Sequence, residues 1–598
     1  MNTDIDNLFK DKVIGHPAGL FVIFFTEMWE RFSFYGMRIL LVIFLTAPLF
    51  GVDHPGWDWP RENALALIGT YGSLLYLTPI VGGWIADKYT GYKLAVVIGC
   101  FIMMLGHAAM VFETPWSLYL GLALLIIGTG FFKPNMTSMI SEMYKGKESK
   151  KDGAYTIYYM GVNAGAFFGM MLCGYLAENL GWSYGFGLAG IFMLLGLIQF
   201  WLAKDLFGSI GAKPSKIYEV ELPQNINEES PKEIKDEGQP KEKLNPFTTV
   251  DKVLMAVAAL CGLSYLFNDP ISKIGGTDIL EIFSIESFLD GSYVIVLFGL
   301  LLFLSVVVTR TMRYSTIVRD RIIAVAICGL FTVVFFAAFE QALGSMTLFA
   351  RDYTERALTG NAATIFKIVD LVLTIVPLAI ITWVLYLLFK KTYKKIPYSN
   401  IVLALTFVFL WYVVFYKVNN EFSKETTEVG ATWFGILNSF FIITLAPLFS
   451  KWWESKYNPS AAMKYGIGLI LLGAGFGILV FGTLGIPQGA KTASVSMVFL
   501  ILAYLFHTMG ELCISPVGLS YLSKLVPGRM IGFMFGIWYL AIAIGQKAAG
   551  TMGGMIDKIT EEYSLSTFFL IFTLFPVVIG LISISLNKVL KKLMHGVK

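Results

Sequence analysis

Charge is the scarce ingredient of this 598-residue chain: 15% of the residues are Asp, Glu, Lys or Arg, against 56% that are hydrophobic. Soluble domains carry about 25% charged residues. A soluble chain of this length would form several domains, each needing a charged surface, and too little charge is present to cover them. The same numbers exclude a disordered chain and a coiled coil. Cysteine is scarce as well. Cys100, Cys173, Cys261, Cys328 and Cys513 have no C-x-x-C spacing and all fall in apolar stretches, which argues against disulfides and zinc sites. No G-x-x-x-x-G-K-[ST] loop is present, so ATP is not the energy source within the chain. No His/Asp/Glu metal set, Ser/His/Asp arrangement or basic aromatic nucleic-acid face occurs. The expectation is a protein that is not an enzyme, uses no cofactor and binds no nucleic acid. Barrel strands of about 10 residues with alternating polarity are missing too.

Long apolar runs are what the chain does have. Sixteen candidate segments fall at roughly 18–46, 64–86, 92–112, 115–141, 154–177, 184–203, 252–268, 292–309, 321–350, 361–389, 398–417, 430–450, 463–485, 493–522, 530–556 and 564–587. Most exceed the roughly 20 residues that cross about 30 Å of hydrocarbon. The segment at 252–268 is marginal, short enough for a shallow or tilted helix.

Alternate loops carry the Lys and Arg, and short basic loops stay in the cytoplasm. One side holds Lys88 and Lys93, then Lys145, Lys147, Lys150 and Lys151, then the run from Arg310 to Arg321. It continues with Lys390, Lys391, Lys394 and Lys395, then Lys451 and Lys456, Lys524 and Arg529, and the tail with Lys588, Lys591 and Lys592. The opposite loops, such as Asp53 to Arg61, Asp269 to Asp290 and Asp557 to Glu562, are neutral or acidic. The alternation requires all sixteen segments to span, with both termini cytoplasmic. The first segment is too long for a signal-peptide core, lacks an A-x-A site and carries four charges. A bacterial inner-membrane protein is expected. Residues 207–250, rich in Lys, Glu, Pro, Ser and Asn, read as a cytoplasmic linker after six spans.

The first span holds Glu27, Glu30, Arg31 and Arg38. Each charge near the bilayer centre costs about 2.5–3.5 kcal/mol on insertion scales, so the four need partners. Positions 27, 31, 34/35 and 38 share one helix face with Tyr35 in its middle, and Glu27 and Arg31 have ion-pair spacing. A purely structural ion pair is the competing reading. Two carboxylates and a second Arg exceed what such a pair needs. Elsewhere the deepest ionisable residues are Lys133, Glu340 and Glu511. They offer a cation to the carboxylates and two carboxylates to the arginines, either as a static network or as the switchable balance that proton coupling requires.

Glu27-Met-Trp-Glu30-Arg31-Phe32-Ser33-Phe34-Tyr35 resembles the E-x-x-E-R-F-x-Y-Y signature of the proton-dependent oligopeptide transporters, a family of the major facilitator superfamily. Gly130-Phe-Phe-Lys133-Pro134-Asn135, Tyr158-Tyr-Met-Gly-Val-Asn163, Phe339-Glu340-Gln341 and Gly510-Glu511-Leu-Cys-Ile-Ser515-Pro516 resemble further motifs of that family, in order along the chain. Gly83-Trp-Ile-Ala-Asp87-Lys88 resembles the superfamily loop motif.

The resemblance implies an all-α polytopic fold: two six-helix bundles with four extra transmembrane helices, about sixteen spans in all. The division would be a bundle over 1–206, the linker 207–250 and an inserted helix pair over 251–310. The first helix of the second bundle (311–360), a second inserted pair (361–420) and the rest of that bundle (421–598) would follow. It implies a proton-coupled importer of di- and tripeptides that works as a monomer in the bilayer. Glu27, Glu30, Arg31, Lys133 and Glu340 would carry proton coupling, Glu340 as acceptor. Arg38 with Glu340, and Lys133 with Glu511, would be pairs that break and form. Arg31 and Lys133 would face the peptide carboxylate, while Glu511, Asn163 and Asn438 would hold its amino end and backbone. Tyr35, Tyr76 and Trp538 would line side-chain pockets, with Arg38, Phe336 and Ser515 also in the binding set. A zwitterionic backbone needs a cation at one end and an anion at the other, which agrees with this set.

Departures are visible. Phe34 replaces the first Tyr of the signature, and Phe336 stands where several bacterial members carry Trp. Gly69-Thr70-Tyr71 stands where animal members carry a coupling His. His107 and His507 read as packing or hydrogen-bonding residues. Lys367 and Asp370, in the second inserted pair, have i,i+3 ion-pair spacing. Gly161, Gly165 and Gly169 repeat every four residues, which allows close helix approach. Other readings are the same fold carrying another anion or drug-like solute, a membrane sensor that does not transport, and a membrane enzyme.

Overall fold

The structure is a computed structural model that describes residues 6–147, 150–213, 245–285, 288–525 and 531–596. Most of the expected linker (214–244) lies outside these residues, as do Arg529 and the side chain of Lys524.

Among the described residues, sixteen long helices form at the sixteen apolar segments. They are α1 Ala18–Thr46, α2 Arg61–Ile85, α3 Tyr92–Met110, α4 Pro115–Met143, α5 Lys151–Leu180, α6 Trp182–Ala203, α7 Thr249–Gly275 and α8 Gly291–Thr311. The second half continues with α9 Thr316–Phe339, α10 Gly360–Thr392, α11 Pro397–Ser423, α12 Ile436–Glu454, α13 Ala461–Thr483, α14 Met497–Leu525, α15 Ile531–Gly554 and α16 Leu565–Ser585. Strand structure among the described residues is limited to two-residue pairings. Fourteen of the described helices are long and apolar enough to cross a bilayer, and the marginal segment is among them as the 27-residue α7. The charge-bearing α1 falls outside that fourteen, as does α15.

Helices α1–α6 pack with one another, as do α9 and α12–α16, and the two groups meet along two seams, α2 with α15 and α5 with α12. Glycine sets the closeness of the α1–α5 contact. A Cβ on Gly165 would lie 2.3 Å from the Met28 carbonyl oxygen, and one on Gly169 2.2 Å from that of Phe32. The seam between α2 and α15 is equally tight at Gly69, where a Cβ would lie 2.9 Å from Gly550 Cα. The inserted pair α7–α8 lies along α2. The other pair, α10–α11, lies along α6, in the opposite half from the one its position in the chain suggests.

One expected segment is broken. The apolar run 321–350 reads as one span, but α9 ends at Phe339, a 3-10 turn covers Glu340–Leu343, and a short helix resumes at Ser345–Asp352. Side chains satisfy the backbone freed by the break. Thr347 and Tyr504 hydroxyls donate to the Ala342 carbonyl, at 2.9 and 3.1 Å. The break is tied down from both sides by Gln341, whose amide donates to Ala337 and Ala549 carbonyls.

The first and last described stretches of the chain share an end of the molecule with basic loops. Lys147 pairs with Asp6 at 3.3 Å, Lys395 with Asp11, and His595 with Asp320 at 2.9 Å. At the other end Arg61, which opens α2, reaches Asp352 at 2.8 Å and Asp557 at 2.6 Å, both in the second half.

Candidate functional site

Every residue of α1 is buried except Tyr35, which is half-buried. The four charges are therefore out of solvent and must be satisfied locally. Arg31 Nη2 donates to Glu30 at 2.7 Å, its Nε contacts the other Glu30 oxygen, and it lies 3.2 Å from Glu27. One guanidinium thus serves two carboxylates, one of them at the i,i+4 spacing read from the sequence. Phe34, where the family signature has Tyr, lies between the two arginines: Arg31 and Arg38 sit 4.8 and 5.8 Å from its ring centroid. A ring face attracts cations without needing a hydroxyl.

Arg38 crosses to the second half. Its Nη2 donates to Glu340 at 3.0 Å and to Gln546 of α15 at 2.6 Å. Glu340 can meet it because the helix breaks there. Lys133, half-buried on α4, has no ion pair with a carboxylate among the described residues; its ammonium lies 4.0 Å from the centroid of Tyr76. Glu511 on α14 is likewise without a cationic partner among the described residues. It accepts from Asn438 Nδ2 at 2.9 Å, and the same amide donates to Thr508 at 3.1 Å. The expected Lys133–Glu511 pair is thus not formed, while Arg38–Glu340 is.

The other expected site residues divide by exposure. Tyr35, Tyr76, Glu340, Asn438 and Ser515 are half-buried like Lys133 and Glu511; Asn163, Phe336 and Trp538 are buried. Asn163 donates to the Tyr159 carbonyl at 2.9 Å. Phe336 packs on α15, where a Cβ on Gly545 would lie 2.7 Å away, and Trp538 covers Gly518 of α14. His507 packs against Phe476, its ring tilted at 43° with the centroids 4.4 Å apart. Lys367 and Asp370 do not pair. Lys367 donates to the Lys424 carbonyl, while Asp370 pairs with Lys417, because α10 turns Asp370 toward α11. Gln546 and the Arg61 cluster carried no signal in the sequence. An uncharged amide is unremarkable in a span, and Arg61 stands in a loop read as neutral or acidic. An apolar groove of about 440 Å³ lies away from this site, between α6 and α11.

A family model described as the POT family matches residues 93–223 and 406–570. Peptide transporter YePEPT of Yersinia enterocolitica is 29% identical over 589 residues, covering 97% of this chain and 96% of its own. The di-/tripeptide transporter of Lactococcus lactis subsp. cremoris is 27% identical, covering 98% of each. The chain belongs to the POT family. Uncharacterized transporter YclF of Bacillus subtilis is 29% identical, over 98% of this chain and 96% of its own. A crystal structure of peptide transporter POT with sulfate matches with a TM-score of 0.67 and 26% identity, over 99% of both chains. A mutant of peptide transporter POT in complex with alafosfalin matches with a TM-score of 0.65 and 25% identity, over 100% of this chain and 99% of the other. The POT chain described above thus has the major facilitator fold that the motifs imply, and its matched relatives are transporters.

Proposed function

We propose that the protein is a proton-coupled symporter that imports di- and tripeptides by alternating access of its two bundles. One observation carries this reading: two opposite charges, Lys133 and Glu511, have no ion-pair partner among the described residues, in a site whose other charges are paired. A zwitterionic peptide supplies the complement of each, its carboxylate to Lys133 with Arg31 behind, its amino group to Glu511 with Asn438 and Asn163. Tyr35, Tyr76, Phe336 and Trp538 offer apolar walls, which tolerate varied side chains. The naming of YePEPT and the lactococcal relative as peptide transporters supports the same substrate class.

The charge count supports coupling. Three cations (Arg31, Arg38, Lys133) face four carboxylates (Glu27, Glu30, Glu340, Glu511), an excess of one negative charge. Uncompensated charge in a dry site is costly, and one bound proton removes the excess. Glu340 takes the proton as Arg38 releases it, while Glu27, Glu30, Arg31 and Lys133 adjust around it. One charge moving through about 100 mV supplies about 2.3 kcal/mol, roughly a fifty-fold concentration ratio. No dedicated cofactor is needed.

The same reading places the chain in a bacterial inner membrane with sixteen spans, both termini cytoplasmic and a monomer as the working unit. Bundles would cover 1–206 and 311–360 with 421–598, the linker 207–250, and the inserted pairs 251–310 and 361–420. Purified protein in liposomes is expected to accumulate labelled dialanine when the outside is acidic and the inside negative. No uptake, with dialanine unable to compete for any tested solute, would sink the proposal.

A further inference from the structure

The pair α10–α11 belongs by chain order to the second half but packs on the first. Phe407 of α11 lies edge-on against Phe25 and Trp29 of α1, each at 5.6 Å. Ser399 donates to the Gln199 carbonyl of α6 at 2.9 Å, and Asn420 to the Tyr175 hydroxyl of α5 at 2.6 Å. One side chain reaches the other way. Asp370 of α10 gives one oxygen to Lys417 of α11 and accepts the Trp433 indole N–H on the other at 3.1 Å. Trp433 belongs to the second half. It sits in the turn Ala431–Gly435, which runs directly into α12, and Asn438 follows five residues later.

A static ion pair between two helices of one hairpin needs only Asp370 and Lys417. The indole bond is surplus to that purpose. It joins a hairpin fixed on the first half to the start of the helix that carries Asn438. It does so beside the α5–α12 seam, where Glu178 of α5 also accepts from Thr432 at 3.3 Å. The opposite seam is built alike. Asp269 of α7 pairs with Lys547 of α15, whose ammonium also donates to Thr70 of α2 at 2.8 Å. Separating the halves at the α5–α12 seam must either break the Trp433 bond or drag the hairpin across the first half.

We propose that Asp370, acting through Trp433, is a positioning residue of the transport site. It fixes where α12 presents Asn438 to Glu511 and holds the α5–α12 seam closed. The proposal rests on the peptide-transport reading for its effect on substrate, and on the seam geometry alone for its effect on conformation.

Trp433→Phe removes the N–H while keeping an aromatic ring, though a smaller one, and the ion pair. The double variant Asp370→Asn with Lys417→Gln removes the bond's acceptor charge without stranding a buried cation. In the full-length protein, spin labels at exposed positions 53 and 491 report opening of this end without any substrate. Trp433→Phe is expected to raise the KM for dialanine about tenfold, the scale of one hydrogen bond to a charged acceptor, because misplacing Asn438 outweighs the gain from a looser outer end, and to lower the maximal rate because the seam has lost a latch. It is also expected to move the label distances toward the longer population, and the double variant to do the same. Wild-type KM and wild-type distances in Trp433→Phe overturn the proposal, as does a lowered melting temperature with both unchanged. If the wild type takes up no dialanine, the peptide reading fails. The distances then decide alone: a shift supports the seam role and no shift overturns it.

Discussion

Glu340 sits on a turn between two helices, not inside one, and Arg38 reaches it across the interface at 3.0 Å. Glu340→Gln keeps the shape and an acceptor for Arg38 but cannot ionise. Gradient-driven dialanine uptake is expected to vanish, while exchange of internal for external peptide continues. Surviving driven uptake would remove Glu340 from the coupling path. Phe34 yields a second test. Its ring is shared by two buried guanidiniums, and a desolvated cation–π contact is worth about 2 kcal/mol. Phe34→Leu should lower stability by about 1–3 kcal/mol, read as an earlier thermal melt in detergent. Phe34→Tyr, which keeps the ring, should melt within a few degrees of wild type. Both features were legible to different degrees. Glu340 stands out in the sequence because a charge in an apolar run is an anomaly. The sharing of Phe34 depends on two rotamers that no spacing reveals, and Gln546 adds no charge that would mark it.

At the scale of the helix, small residues decide which pairs approach. The spacing of Gly161, Gly165 and Gly169 is readable as a period of four, and the structure sets that stripe against α1. Gly165→Ala would place a methyl 2.3 Å from a backbone carbonyl that has nowhere to move. A loss of about 1–3 kcal/mol is expected, the range for overpacking. Gly262 of α7 has nothing within 4 Å of its would-be Cβ. Gly262→Ala should therefore gain up to about 1 kcal/mol from helix propensity. Comparing the two melting temperatures checks both, and equal shifts would refute the packing argument. The break after Phe339 shows what periodicity cannot reveal. Hydrophobicity continues unbroken through 321–350, and the turn is held by Gln341, Thr347 and Tyr504, the last of them 162 residues away in the chain. The docking of α10–α11 on α6 is similarly long-range, set by aromatic contacts such as Phe192 with Phe409 at 5.6 Å.

Across the whole molecule, the end holding the Arg61 cluster is closed. Arg61 bridges from α2 to Asp352 and Asp557 of the second half, and Gly69 packs on Gly550 beneath it. Deeper in the molecule Lys133 and Glu511 stand apart. A transporter by alternating access must never open at both ends, so interactions that close one end compete with those that close the other. The basic loops gather at the end opposite Arg61, and under the proposed cytoplasmic placement of those loops the Arg61 end is external. Arg61→Gln removes both pairs from the external closure. Asp557 is 42% exposed on its side chain, so its contribution is small, and about 1 kcal/mol is a fair scale for the whole cluster. That biases the equilibrium toward the outward-open state by about fivefold. Binding from outside then meets a more populated competent state, so the KM for external dialanine should fall by a similar factor. The maximal rate should fall with it, because closing the outside after loading has lost its latch. A rise in KM at unchanged maximal rate would mean that Arg61 supports the binding site and not the gate, and the assignment of the external closure to this cluster would have to be abandoned.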